Sequence, residues 1–291
     1  MKILIVGANG FLAQSLIKKL KLNNELLCLT TKKNTPYRHI DYQNLIEFKE
    51  LVSNFNPELI FYFPVATLSN PDYQTLINSF ERDKNFFSIL DELSGNVRVF
   101  FFSSMAVFPP GKKDVQFQDE NPSTNYALEK NNFLKLAESY ETNNISIIVI
   151  YASSIYGPNC KNRMFIPSLI ASIENQTKML ASGSSKERDF IYVEDVTDAL
   201  IKMKAVDFPK KINKFFFCSN VYFSLIQISK MICNILDIKL DHTIQFNDTD
   251  VNNDLQTVAE PHRKNKFFTP TTPIEEGLKD TLKFNFPDIH K

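Results

Sequence analysis

The stretch Ile3-Leu4-Ile5-Val6-Gly7-Ala8-Asn9-Gly10-Phe11-Leu12-Ala13 decides the fold. Four consecutive apolar residues read as a strand buried on both faces, and the apolar spacing over 11–20 reads as a helix. Between them, Gly7 permits a tight turn and Gly10 lets backbone approach an anion closely, while Ala13 is small enough for the helix to lie against the strand. The helix N-terminus then offers N–H groups and a partial positive charge to a phosphate. A bare strand-to-helix turn can carry the same glycines. What points to a dinucleotide is that the pattern directly follows a strand and directly opens a helix.

The same rhythm continues outward. Strands are expected over 26–29, 59–63 (the third buried strand), 97–102 and 145–150, and helices over 45–55, 73–93 and 126–140. Continuous apolar strands alternating with helices mean parallel strands covered on both faces, joined by crossover helices. After Gly157-Pro158 the alternation breaks. A helix over 167–174, another over 193–204, a strand over 215–218 and a helix over 225–236 lead into a polar, Asn/Asp-rich tail. The expected organisation is a first domain over 1–157, to which a segment of about 188–220 returns, and a smaller lobe over 158–291.

Composition narrows the function classes. The 291 residues are 43% hydrophobic and 23% charged, and the 33 Lys plus Arg balance the 33 Asp plus Glu. A net charge of zero gives no electrostatic case for nucleic acid or an anionic membrane surface. Cys28, Cys160, Cys218 and Cys233 are far apart and form no CxxC pair, which argues against zinc and against a disulfide framework. No metal is expected. The apolar run over 3–6 is too short for a signal-peptide core, and no later run reaches membrane-spanning length. A cytoplasmic protein is the expectation.

Tyr126-Ala127-Leu128-Glu129-Lys130 places a phenol and an ammonium four residues apart, on one face of a helix. A nearby cation favours the phenolate and is expected to bring the Tyr pKa down towards a range useful for proton transfer. Alone, a Tyr and a Lys at this spacing occur on many exposed helices. Twenty-two residues before Tyr126, however, an apolar strand runs into Ser103-Ser104-Met105-Ala106-Val107-Phe108.

Together these motifs resemble the extended short-chain dehydrogenase/reductase superfamily, in its nucleotide-sugar epimerase, dehydratase and 4-ketoreductase group. The GxxGxxA loop with Asn9, the strand ending in SSxAV and the YxxxK pair carry the resemblance, as do Arg188-Asp189-Phe190-Ile191-Tyr192-Val193 and a closing Pro270-Thr271-Thr272-Pro273-Ile274-Glu275-Glu276-Gly277-Leu278. It spans nearly the whole chain. It implies an α/β fold, a Rossmann-type doubly wound parallel sheet with a smaller α/β substrate-binding lobe, and a homodimer through two sheet-flanking helices, for which the Phe-rich helix after Tyr73 is a candidate, although core packing accounts for its phenylalanines equally well.

It also implies a Ser-Tyr-Lys site. Tyr126 would move the proton at a sugar hydroxyl or ketone, Lys130 would tune it and hold the nicotinamide ribose, and Ser104 would polarise the substrate oxygen. Cofactor contacts are expected from Gly7, Asn9, Gly10, Phe11, Leu12, Thr30, Thr31, Lys32, Asp41, Tyr42, Phe63, Pro64, Val65, Tyr126, Lys130, Ser153 and Ile155. The second strand ends in Thr30-Thr31-Lys32-Lys33 where a carboxylate would bind the ribose 2′-OH of NAD, so NADP(H) is favoured and NAD(H) remains an alternative. Ser104, Ser154 and Arg188 are the expected substrate contacts, Arg188 on the diphosphate of a nucleotide sugar, although a surface ion pair with Asp189 or Glu187 would also account for it. Tyr151 and Ser154 stand where the family has Arg and Asn.

Dehydratases of this group carry an Asp-Glu pair after the catalytic Ser/Thr; here Met105 and Ala106 occupy those positions and cannot move protons. NADPH-dependent reduction of a 4-keto group on a nucleotide-linked deoxysugar is the expected reaction. A C4 epimerase is the second reading, and a non-catalytic dinucleotide sensor the third.

Overall fold

The structure is a computed structural model of the chain, and it describes residues 1–42, 44–63, 71–140, 144–160, 164–208, 210–247, 260–261 and 267–287. The elements run β1 (Lys2–Val6), α1 (Phe11–Leu20), β2 (Glu25–Thr30), β3 (Arg38–His39), α2 (Leu45–Phe55), β4 (Leu59–Tyr62), α3 (Tyr73–Leu90), β5 (Val97–Ser104), α4 (Asn125–Ser139) and β6 (Ile145–Ala152). They continue with β7 (Ser154–Tyr156), α5 (Phe165–Glu174), β8 (Met179–Ala181), β9 (Glu187–Tyr192), α6 (Val193–Lys204), β10 (Ile212–Phe217), β11 (Tyr222–Ser224), α7 (Leu225–Leu236), α8 (Leu240–Thr243), β12 (Ile244–Phe246) and α9 (Ile274–Asn285).

Two compact units form. The first comprises Met1–Val107, Asn121–Tyr151 and Thr197–Phe216, the second Phe108–Glu120, Ala152–Val196 and Phe217–Lys291. A parallel seven-stranded sheet flanked by helices is built in the order β10-β6-β5-β4-β1-β2-β3. β1 pairs in parallel with β2 (Val6 opposite Leu29) on one side and with β4 (Val6 opposite Tyr62) on the other. Strand order therefore reverses at β1. In open α/β sheets, ligands bind beyond the carboxyl ends of the strands at such a reversal. The glycine turn sits there.

β1 and β4 are buried along nearly their whole length, as their unbroken apolar runs require. Phe86 and Phe87 of α3 join this core instead of remaining on the surface. The Phe86 ring stacks 4.0 Å from Tyr62, and Phe87 lies 5.1 Å from Phe133 of α4. The aromatic half of α3 thus faces inward. The exposed apolar residues of α3 are Tyr73, Ile77 and Phe80.

In the second unit, β11-β9-β7 form one small sheet and β12-β8 another. Two stretches expected in the first domain belong here. Residues 152–157 do so because β7 pairs with β9 (Ser154 opposite Phe190), and residues 108–120 because the Val115 N–H donates to Glu260 O at 2.8 Å. The tail is more than a polar run, since α9 closes it. Gly277 sits mid-helix in α9 because a Cβ there would collide with the Tyr156 hydroxyl and lie 3.0 Å from the Tyr192 ring. Among the described residues, no helix is long and apolar enough to cross a membrane.

Candidate active site

The glycine turn at the end of β1 is held by its own backbone. Gly7 adopts φ 84°, a left-handed conformation that favours glycine. The N–H groups of Gly7 and Ala8 both donate to Leu29 O at 2.9 Å, and Gly10 N–H donates to Gly7 O at 2.9 Å. Gly10 is the N-cap of α1 with φ −71°, a conformation any residue can adopt, so backbone freedom does not explain it. Close approach does: a Cβ at Gly10 would stand 3.2 Å from Gly7 O, on the face where α1 begins. The first turn of α1, with half-buried Phe11 and Leu12, carries no acidic residue, and its last turn carries Lys18 and Lys19. That distribution leaves the positive helix end uncompensated and fits a pyrophosphate. Asn9 orders the turn through its carbonyl, which accepts from Gln14 Nε2 at 3.0 Å.

Gly10→Val is therefore expected to weaken binding of a pyridine nucleotide at least about tenfold, because the branched side chain fills the approach to the helix N-terminus that the anion would use. A fluorescence titration checks this, and because Gly7 O must give way to a Cβ at 3.2 Å, the variant's thermal unfolding is expected to fall somewhat as well.

At the end of β2, Thr30 is buried, and its Oγ1 accepts from the Lys32 N–H at 3.2 Å. Thr31, Lys32 and Lys33 are exposed. The short β3 places Arg38 opposite Leu29 and His39 opposite Thr30, adding a guanidinium at this strand end; Arg38 lies 3.6 Å from Glu47, both groups being well exposed. The sequence reading missed Arg38. Asp41, exposed, and Tyr42, half-buried with its ring edge-on to Phe48 at 5.4 Å, follow β3. Phe63 continues β4 through its N–H to Val6 O at 3.0 Å. Pro64 and Val65 lie outside the described residues.

Ser104, Tyr126 and Lys130 come together in the first unit. β5 ends at Ser104, whose Oγ accepts from the Ala106 N–H at 3.1 Å. α4 begins after Thr124, whose hydroxyl caps the Ala127 N–H at 3.2 Å, and this fixes Tyr126 in the first turn. The Ser104 side chain hydrogen-bonds the Tyr126 hydroxyl. One turn later, buried Lys130 donates to Phe102 O at 2.9 Å, with Nζ 5.3 Å from the Phe101 ring and 5.8 Å from the Tyr126 ring.

The electrostatics correct one expectation. Burial raises the Tyr126 pKa, the bond from Ser104 opposes that rise, and the Glu129 carboxylate adds to it. Lys130 does not bring it down. Its own ammonium is desolvated, and burial pulls it to about 8 against the support of Glu129. Burial therefore favours the protonated phenol at Tyr126.

A charged cluster lies beside this pair, and the sequence reading did not find it. Tyr62 OH donates to Asp83 Oδ1 at 2.6 Å, Arg82 contacts Asp83 at 2.8 Å, and Arg82 reaches Glu129 at 3.5 Å. The signal was present in the spacing: Ser79, Asp83, Phe86, Phe87 and Leu90 share the buried face of α3.

The remaining expected contacts sit in the second unit. The Ser153 hydroxyl donates to Asp189 at 3.0 Å, and Ser219 and Asn220 N–H groups also bind that carboxylate. Asp189 thus ties Ser153, just before β7, to the turn at 219–220. Ser154 and Ile155 pair with Phe190 and Ile191 of β9. Arg188, half-buried two residues earlier on β9, directs Nη1 to Glu187 O at 2.8 Å, and burial lowers its pKa. Tyr151, where the family has Arg, is fully buried with its ring 5.8 Å from Phe216.

A strand reversal with a glycine turn on a parallel sheet, and a Ser-Tyr-Lys cluster in the same unit, are the features of a pyridine-nucleotide-dependent enzyme class. The chain belongs to the NAD dependent epimerase/dehydratase family, whose model matches residues 3–213. It is 22% identical over 245 residues to a GDP-6-deoxy-D-talose 4-dehydrogenase of Aggregatibacter actinomycetemcomitans, covering 81% of this chain and 80% of that one. Its fold matches the UDP-glucuronic acid 4-epimerase of Bacillus cereus, solved with UDP-glucuronic acid and NAD, at TM-score 0.81 and 17% identity over 99% of each chain. It also matches the UDP-glucose 4-epimerase of Thermus thermophilus, solved with NAD, at TM-score 0.82 and 14% identity over 98% and 99% of the two chains.

Proposed function

We propose that this protein reduces the 4-keto group of a nucleotide-linked deoxysugar with NADPH. The observation that carries the reading is the hydrogen-bonded Ser104–Tyr126 pair over buried Lys130, with a phenol that burial keeps protonated. A phenol so placed can give a proton to a ketone oxygen, the step that 4-keto reduction needs. Met105 and Ala106 supply no acid or base for dehydration. The curated relative's name places its dehydrogenase activity at position 4 of a GDP-linked 6-deoxysugar, in line with chemistry at that carbon.

In this reading the turn at Gly7, Asn9, Gly10, Phe11 and Leu12 holds the pyrophosphate, and Asp41 and Tyr42 border the adenine. Thr30, Thr31, Lys32 and Arg38 receive the ribose 2′-phosphate, for which cations and hydroxyls are better partners than the carboxylate that would suit NAD. NADPH when bound supplies the hydride that forms the new C4–H bond. Ser104 donates to the ketone oxygen. Tyr126 gives its proton to that oxygen, leaving an alcohol and a phenolate that solvent reprotonates. Lys130 steadies the phenolate, and Arg188 binds the substrate diphosphate. Ser153 and Ile155 border the nicotinamide and Ser154 the sugar. A second copy of the chain is the proposed partner of the exposed α3 face bearing Tyr73, Ile77 and Phe80, which recur at helical spacing.

Incubation with NADPH or NADH and a panel of GDP- and dTDP-linked 4-keto-6-deoxysugars tests the reading. Stoichiometric loss of nicotinamide absorbance with formation of a 4-hydroxy sugar is expected, with kcat/KM at least about tenfold higher for NADPH, the scale of one or two charge-assisted hydrogen bonds. Interconversion of 4-epimers without net NADPH loss would assign an epimerase instead. Cofactor binding with no turnover of any sugar would assign a non-catalytic binding protein.

A further inference from the structure

The helix pair α3 and α4 buries four charges where helix faces normally bury apolar groups. Asp83 and Glu129 have side chains 3% exposed and Arg82 15%, and Lys130 is equally buried. Arg82 contacts Asp83 through both Nε (2.9 Å) and Nη2 (2.8 Å), and reaches Glu129 Oε1 at 3.5 Å. Tyr62 at the end of β4 closes the cluster, donating to Asp83 and lying 3.3 Å from Arg82 Nε. Burying charges is costly even when they are paired, and packed apolar residues of similar volume often serve stability as well or better. A cluster in this place invites a reason beyond stability. Lys130 Nζ lies 5.3 Å from the Phe101 ring, Phe101 stacks at 3.8 Å on Phe133, and Phe133 lies 5.2 Å from Tyr62, which bonds Asp83, so the ammonium and the cluster share one buried packing unit.

We propose that Arg82, Asp83 and Glu129 form a buried charge network that sets the protonation of Lys130, making them positioning residues that act on the Tyr126–Lys130 pair through its lysine. The inference rests on the proposed role of that pair, but its central claim concerns Lys130 alone. With Lys130 charged, two cations meet two carboxylates and the buried set is neutral. With Lys130 neutral, the set holds one uncompensated negative charge. Each carboxylate therefore holds the proton on Lys130, and Arg82 works against it, while desolvation supplies the opposing pull that brings the group down to about 8.

The titratable and charged groups around Lys130 are Tyr126 and Glu129 on α4, Arg82 and Asp83 on α3, and Tyr62 on β4. β5 contributes the Phe102 carbonyl and the Phe101 ring, and Tyr42 lies behind Arg82 and Asp83. Both tyrosines outside α4 have pKa values raised well clear of neutrality by burial, and so stay uncharged while Lys130 titrates.

The test follows the full-length protein labelled with [ε-¹³C]lysine through a pH titration by NMR, with Lys130→Met assigning the resonance. Glu129→Gln is expected to lower the Lys130 midpoint by about one pH unit, a tenfold change in its protonation ratio, and Arg82→Gln to raise it by a similar amount. Tyr62→Phe removes a hydrogen bond but no charge, and should leave the midpoint within about 0.3 of the parent value. The alkaline limb of the kcat/KM profile for ketone reduction should move with the midpoint in each variant. Shifts of opposite sign for the two charge changes are something packing loss does not produce. Should Arg82→Gln fail to fold, Asp83→Asn replaces it and is expected to move the midpoint down alongside Glu129→Gln. Midpoints that stay put, or that move as far in Tyr62→Phe, overturn the proposal. A wild-type protein that reduces no ketosugar, with a lysine midpoint that still follows the charges, would sink the proposed reaction and leave the network standing.

Discussion

Tyr126→Phe is expected to cut turnover of the 4-keto substrate by about 10²–10⁴-fold, the range that one positioned proton donor contributes, while NADPH affinity stays within about twofold of wild type. The substitution removes one oxygen and little else. The phenyl ring keeps its place in the first turn of α4, where the Thr124 cap holds the backbone, and it remains near the Lys130 ammonium at a ring distance of 5.8 Å. Lys130 keeps its bond to Phe102 O, so the buried lysine is not released. What is lost is the hydroxyl that Ser104 orients and that burial keeps protonated. Because the loss falls on the step in which the ketone oxygen gains charge, kcat and kcat/KM should fall together, and KM should change little. Single-turnover reduction, monitored by nicotinamide absorbance alongside equilibrium cofactor binding, separates these quantities. Wild-type turnover in the variant would remove Tyr126 from the chemistry.

The sequence carried the sheet clearly, for a physical reason. A parallel strand covered on both faces needs an unbroken apolar run, and 3–6, 59–63, 97–102 and 145–150 are such runs. One exception in that sheet is β3, two exposed polar residues, Arg38 and His39, whose pairing to β2 leaves no hydrophobic trace. The strands of the second unit were hidden for a related reason. β7, β8, β11 and β12 are three residues each, too short for alternation to register, and β9 reads as part of a motif before it reads as a strand.

Of the candidate site, the glycine turn and the Tyr126–Lys130 pair could be read from local spacing, whereas Ser104, on a different element, joined them only through the family resemblance. The Lys130 effect on Tyr126 was not legible. Proximity of a cation argues for a lowered phenol pKa, but burial acts on both groups at once, and desolvation is the larger effect in each. Nor did Arg82, Asp83 and Glu129 declare themselves, since a charged residue on a helix is ordinarily assigned to solvent. Only the three- and four-residue spacing of Asp83 from Ser79, Phe86 and Phe87 marks it as inward.

Arg188→Ala is expected to raise the KM for the nucleotide sugar about 10–100-fold, as follows from losing hydrogen bonds to a charged group worth roughly 1.5–3 kcal/mol. NADPH affinity and thermal stability should stay nearly constant. The alternative account of Arg188 as half of a surface ion pair predicts no such effect. Asp189, one of its two acidic neighbours in sequence, is occupied by Ser153, Ser219 and the Asn220 N–H, bonds that tie β9 to the residue before β7 and to the turn at 219–220. The Arg188 side chain is thus carried on a strand whose register is fixed by its neighbour's hydrogen bonds and by pairing to β11 at Phe223. Its guanidinium is partly desolvated, enough for burial to lower its pKa, and a partly desolvated cation gains more from a diphosphate than a fully hydrated one does. Arg188→Lys separates charge from geometry. A fork that grips two phosphate oxygens is only partly replaced by a single ammonium, so lysine should recover less than half of the lost binding free energy. Full recovery would mean that charge alone acts at this position, and an unchanged KM in the alanine variant would remove Arg188 from substrate recognition altogether.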